Sequence, residues 1–98
     1  MELTKQLNGD QLIIELKGEI NSTTSPELEK EVMGSLSGVK SVIFDFKNVD
    51  YISSAGLRVM LITKKTVPNQ GKVIIKNTNV AVKEIFDLTG FSEILDFE

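Results

Sequence analysis

The sequence predicts an α/β domain, built as a small mixed β-sheet with helices packed mainly on one face. Three observations carry that expectation. Asn8-Gly9-Asp10 separates two strand-like runs, which makes an antiparallel hairpin at the start. Beyond it, β-prone apolar runs alternate with segments whose apolar residues recur three and four apart. That is the order of parallel strands joined by crossover helices. The chain has 98 residues, a length for one domain (1–98) around a single core.

The first hairpin strand is expected over Leu3 to Leu7 and the second over Gln11 to Leu16, with Asn-Gly supplying the positive φ angles of a tight turn. A helix starts near residue 25, by either of two routes. Thr24 with Glu27 fits a capping box, and Ser25 with Pro26 puts proline at the first helical position. Leu28, Val32 and Leu36 share one face, with Met33 beside them and Gly38 as the stop. Val42-Ile43-Phe44-Asp45-Phe46 reads as a strand buried on both faces. Lys47 to Ile52 reads as a loop anchored by Val49, Tyr51 and Ile52.

From Ala55 a helical pattern runs through Leu57, Val59, Met60, Leu61 and Ile62, ending before Pro68, which biases Val67 away from helix. Lys72 to Lys76 is a further buried strand. Asn79 caps a third helix that runs to Leu88, with Val82, Ile85 and Phe86 inward. Gly90 sits where a left-handed helix end favours glycine, and Ile94 to Phe97 forms a terminal strand.

Composition excludes several function classes. There is no Cys and no His, which removes disulfides, thiolate chemistry, Cys/His zinc sites and the serine and cysteine triads that use His. The 11 basic and 14 acidic residues give a net charge of −3, without the basic face of an electrostatic nucleic-acid binder. No apolar run approaches the ~20 residues that span a membrane. Met1 to Lys5 lacks the layout of a signal peptide, so a cytoplasmic location is expected. The phosphate-binding patterns G-x-x-x-x-G-K-[ST] and G-x-G-x-x-G are absent, as is the G-x-S-x-G elbow. No cofactor is expected.

The distinctive segment is Asp50-Tyr51-Ile52-Ser53-Ser54-Ala55-Gly56-Leu57-Arg58, two serines and a glycine where a helix opens. A serine there can cap the free N–H groups of the first turn, and capping is the plainer account from residue type alone. Gly56 in that turn keeps the surface low beside the serines. Arg58 lies one turn beyond Ser54, within reach of a partner's carboxylate or of a phosphate on that serine, or it is simply a solvated helix residue. Asp45 and Asp50 read as an acidic pair or as an acidic loop edge.

The segment resembles the signature of STAS domains, and of bacterial anti-sigma factor antagonists among them, whose motif is [Asp/Ser]-Ser-[Ser/Ala]-Gly-Leu at the start of a helix. Gly18-Glu19-Ile20-Asn21 resembles the family's Gly-Glu-Leu-Asp. Val82 to Phe91 resembles its last helix and Gly-hydrophobic ending. The likeness runs along essentially the whole chain. It implies a binding module, not an enzyme. Unphosphorylated, such a module binds an anti-sigma factor that is a serine/threonine kinase and so frees a sigma factor. The kinase then phosphorylates one serine and the complex dissociates, and a phosphatase resets the cycle. The family's acceptor falls on Ser54. Ser53, which stands where some members carry Asp, is the alternative. The implied partner surface is Asn21, Ser22, Thr23, Ser53, Ser54, Ala55, Gly56 and Arg58. A different outcome consistent with the resemblance is a docking subunit of a transport or stress-signalling complex, without a phospho-switch. A small enzyme or weak nucleotide binder is a third class, disfavoured by the missing His, Cys and phosphate loop.

Overall fold

The computed structural model describes residues 1–68 and 70–98. Strands β1 (Glu2–Asn8) and β2 (Gln11–Ile20) form the hairpin. Helix α1 (Ser25–Met33), strand β3 (Ser41–Ile52), helix α2 (Ser54–Thr66), strand β4 (Val73–Lys76), helix α3 (Val80–Leu88), a 3₁₀ turn (Phe91–Glu93) and strand β5 (Asp96–Phe97) come after it. The five strands lie side by side in chain order, β1 antiparallel to β2 and every later pair parallel. Each crossover steps one strand in the same direction. Crossovers of one hand therefore leave α1, α2 and α3 on one face of the sheet.

Burial follows from that layering. Leu12, Ile14 and Leu16 of β2, Val42, Phe44 and Phe46 of β3, and Val73 and Ile75 of β4 are buried beneath the helices. Leu28 and Val32 of α1, Leu57 and Met60 of α2, and Val82 and Phe86 of α3 close the core from above. Phe86 packs tilted against Phe46, with ring centroids 6.0 Å apart, and edgewise against Phe97 at 5.0 Å, and so ties α3 and β5 to the central strand. The expectation that β3 is buried on both faces does not hold. Ile13, Ile43 and Ile74 form a cross-strand row on the uncovered face and are only half-buried.

β3 differs most from expectation. Lys47 to Ile52 is strand, not loop. Two register shifts against β2 give β3 an extra residue after Asp45 and another after Val49. Each bulge changes the inward spacing from two to three, so the buried series runs Phe46, Val49, Ile52. The broken alternation mimics a loop. The second bulge also leaves Tyr51 46% exposed, so it is no anchor.

Smaller departures have equally local causes. The hairpin loop is Gly9-Asp10, with Asn8 already paired to Gln11, and of Asn8, Gly9 and Asp10 only Gly9 has a positive φ, 65°. Glycine in the first loop position suits a type II′ turn. α1 stops at Met33 because Gly34-Ser35 is a weak helix former, so Leu36 packs against the core from outside the helix and Gly38 (φ 75°) serves a later turn. β5 is confined to Asp96–Phe97, because a 3₁₀ turn precedes it. α2 and α3 match expectation. α2 ends before Pro68, Asn79 Oδ1 accepts from Val82 N–H at 2.7 Å, and Gly90 is left-handed at φ 80°. Replacing Asn79 by Ala should cost about 1 kcal/mol, read as a lowered urea midpoint at unchanged slope.

Lys5 pins the edge strand to α1. Its Nζ donates to Glu31 Oε2 at 2.8 Å and to Ser35 Oγ at 2.9 Å. The Lys5 hydrogen bond, with the ammonium charge, holds the Glu31 carboxyl below the ordinary glutamate value. A carboxyl whose folded pKa is depressed adds stability above its unfolded pKa, and that stability is lost as pH falls through the folded pKa. The stability difference between wild type and Lys5→Met should therefore be present at neutral pH and shrink below about pH 4. Urea midpoints across that range test this, and a difference that stays constant would exclude the pair as its source.

Candidate functional site

The distinctive segment lies at the carboxyl ends of two neighbouring parallel strands. Ile20, the last residue of β2, pairs with Ile52, the last of β3, and Ser53 N–H donates to Ile20 O at 2.8 Å. The chain leaves β2 into the 21–24 turn and α1. It leaves β3 directly into α2. The crevice outside the carboxyl ends of parallel strands is where α/β folds present their sites.

The 21–24 turn is built by Asn21. Its Oδ1 accepts from Thr23 N–H (2.9 Å) and Thr24 N–H (3.0 Å), and its backbone carbonyl accepts from Ser25 N–H at 2.8 Å. α1 opens at Ser25 with Pro26 at its start, as expected, but the Thr24–Glu27 capping box does not form. Thr24 holds the N-cap position of α1 but makes no side-chain cap bond. Instead its hydroxyl accepts from Asn21 N–H and donates to Glu19 O. Asn21 is thus half-buried and committed to the turn, whereas Ser22 and Thr23 are exposed beside it.

At the start of α2 the two serines differ. Ser53 occupies the N-cap without a side-chain cap bond, and its Oγ is buried with no hydrogen-bond partner among the described residues. Ser54, the first helical residue, is exposed. Gly56 is buried rather than part of a low outer surface. A Cβ there would stand 2.6 Å from Ile20 Cγ2 and 2.7 Å from Ile52 Cγ1, so the glycine lets the first turn of α2 sit directly on the strand ends. Ala55 is half-buried at the rim.

Ser22, Ser25, Pro26 and Glu29 from one side, with Ala55, Arg58 and Val59 from the other, line a shallow depression of about 270 Å³. Arg58 bridges it, its Nη1 3.3 Å from Glu29 Oε1, with both side chains solvent-accessible. The carboxylate that Arg58 reaches is therefore in its own chain. Ser25 adds a second buried hydroxyl with no partner among the described residues. Sequence patterning marks Ser25 only as a helix start and does not single out Glu29. They lie within α1, and no local pattern marks a residue for contact with one 29 positions away. Asp45 and Asp50 do not act as a pair. The Asp45 carboxylate accepts from Asn77 Nδ2 and Lys47 N–H, and Asp50 is exposed beyond the first bulge. Among the described residues no acidic cluster suits a metal ion, and no helix is long and apolar enough to cross a membrane.

Replacing Gly56 by Ala adds a methyl group against two buried isoleucines. Overpacking of that kind costs about 1–3 kcal/mol, against a helix-propensity gain of about 1 kcal/mol. A net loss of stability is expected in urea titration, and a more stable variant would mean that the first turn is not seated on the strand ends.

Residues 2–98 match the STAS domain family. The protein BtrV of Bordetella bronchiseptica, provisionally named an anti-sigma factor antagonist, is 36% identical over 96 residues, covering 96% of this chain and 83% of BtrV. The anti-sigma-B factor antagonist of Bacillus subtilis is 28% identical over 90 residues, covering 91% and 83%. The fold matches that of the anti-sigma factor antagonist SpoIIAA in its unphosphorylated form, with a TM-score of 0.79 at 15% identity over 99% of this chain and 87% of that one. The phosphorylated form of SpoIIAA from Bacillus gives 0.77 at 15% identity, over 99% and 91%.

Proposed function

The chain belongs to the STAS domain family, within its anti-sigma factor antagonists, which are regulatory binding proteins rather than enzymes, and on that premise we propose that it binds an anti-sigma factor under control of phosphorylation at Ser54. Unphosphorylated, it occupies an anti-sigma factor that is also a serine/threonine kinase, and so frees a sigma factor. The kinase transfers the γ-phosphoryl group of ATP to Ser54 Oγ. The new O–P bond replaces the bond to the β–γ bridging oxygen, the hydroxyl proton is lost, and ADP leaves. A phosphatase hydrolyses the ester. The partner surface comprises Ser22 and Thr23 with Ser54, Ala55 and Arg58. Asn21, Ser53 and Gly56 shape that surface from beneath.

The observation that carries the choice of acceptor is the contrast between the serines. Ser54 is exposed on the first turn of α2, and Ser53 Oγ is shut away from solvent. A kinase must reach the hydroxyl oxygen, so accessibility favours Ser54. Further support comes from SpoIIAA, which shares the fold and is known in both phosphorylation forms. The first turn of α2 carries no acidic residue, and a helix N-terminus favours anions, so the fold itself can bear a phosphate there. The added −1.5 to −2 charge is then felt at the interface. A cost there of ~2–4 kcal/mol weakens binding about 30- to 800-fold.

Wild-type and Ser54→Asp proteins used as baits in lysate of the native host test this reading. The expected outcome is an ATP-dependent kinase held by wild type and weakened at least about tenfold by Ser54→Asp, a change of ~1.4 kcal/mol. Equal recovery of a transporter subunit or scaffold by both baits would sink it in favour of a docking module without a switch.

A further inference from the structure

We propose that Arg58 is a shared counter-ion, held by Glu29 while Ser54 is free and drawn to the phosphate once Ser54 is phosphorylated. This leaves the Glu29 carboxylate bare on the rim of the depression. The exchange rests on Ser54 being the modified residue, and it takes place wholly within this chain.

The geometry supplies both arrangements. In the structure Arg58 reaches across from α2 to Glu29 on α1, at a single Nη1–Oε1 contact of 3.3 Å. The Arg58 side chain is 69% exposed, so the pair is weakly held and its guanidinium is free to turn. Ser54 and Arg58 lie four residues apart on the same helix, which places their side chains on one face as neighbours. The order is also the favourable one, an anion one turn nearer the helix N-terminus than the cation. A phosphate offers three oxygens and nearly two charges to a guanidinium that can donate two parallel hydrogen bonds. Glu29 offers one carboxylate and accepts one side-chain bond among the described residues. Competition between them therefore favours the phosphate.

The consequence is a charge change on two helices from one modification. Arg58 and Glu29 both line the depression with Ser22, Ser25 and Ala55. With Arg58 turned toward residue 54, the rim on the α1 side changes from a neutral ion pair to a lone carboxylate. A partner fitted to the unmodified surface then meets new negative charge on both sides of the depression.

The test uses the full chain with phosphoserine installed at position 54 during translation, so it needs neither kinase nor partner. The second pKa of the phosphate is read by phosphorus NMR in the wild type, Arg58→Gln, Glu29→Gln and the double variant. Both substituted side chains are at the surface, and circular dichroism verifies the fold of each variant. The phosphate pKa should be highest in Arg58→Gln. In wild type it should lie lower by roughly 0.3, about a twofold change in ionisation constant, as an i,i+4 ion pair gives. In Glu29→Gln, where nothing competes for Arg58, it should lie lower again. The Glu29→Gln effect should shrink when Arg58 is already Gln, because it acts through the arginine. Equal phosphate pKa values in wild type and Arg58→Gln overturn the proposal, as does an undiminished Glu29→Gln effect in the Arg58→Gln background. Either failure leaves the kinase reading standing. A kinase that never modifies Ser54 removes that reading while the NMR ordering still holds.

Discussion

The close seating of α2 on the ends of β2 and β3 is the contact from which the site is built. Ile20 and Ile52 are fully buried partners in the last rung of the parallel pair, and Gly56 lies so near them that a single methyl group there would stand within 2.7 Å of both. A helix that starts this low has no room for a connecting loop, so Ser53 passes straight from the strand ladder into the N-cap. Its hydroxyl is enclosed as a result, while the next residue, Ser54, emerges at the surface. Adjacent serines thus acquire opposite exposures from one packing contact. Neither that hydroxyl nor the buried one of nearby Ser25 has a hydrogen-bond partner among the described residues.

The bulges in β3 determine where that contact falls. Without them, alternation from Val42, Phe44 and Phe46 would put residues 48, 50 and 52 inward. With them, Val49 alone takes the inward place of residues 48 and 50, while Ile52 stays inward and Tyr51 outward. The extra residues lengthen β3 relative to β2 and raise the local twist. Both strands then end side by side, with the 21–24 turn next to the start of α2. Asn21 completes the arrangement by folding that turn onto itself, which leaves Ser22 and Thr23 facing outward.

Much of this is legible in the sequence because it depends on local chemistry. The Asn79 cap, the left-handed Gly90, the end of α2 ahead of Pro68 and the antiparallel start all follow from residues a few positions apart. The features that escape a sequence reading are set by distant partners. Lys47 to Ile52 resembles a loop because a bulged strand loses period two, and only the opposing strand reveals the register. Gly56 resembles a surface device, whereas the isoleucines that require it lie 36 and 4 positions earlier in the chain. Glu29 carries no signal, since its partner Arg58 is on another helix. The serine segment itself is legible as a motif, but which serine is accessible depends on how deeply α2 is seated, a tertiary property.

That seating also constrains how a modification at residue 54 can act. The first turn of α2 is braced from below by buried isoleucines, so added charge has little scope to move the helix start. The N–H groups of that turn and the absence of acidic neighbours in it make an anion locally acceptable. Both considerations direct the effect outward. On the proposed reading, an anion-tolerant helix start would turn phosphorylation at Ser54 into a change of surface charge and shape rather than a change of fold. The side chains free to respond are the exposed ones, Arg58 above all. Its present partner is on the neighbouring helix, so a response at residue 54 need not stay on α2.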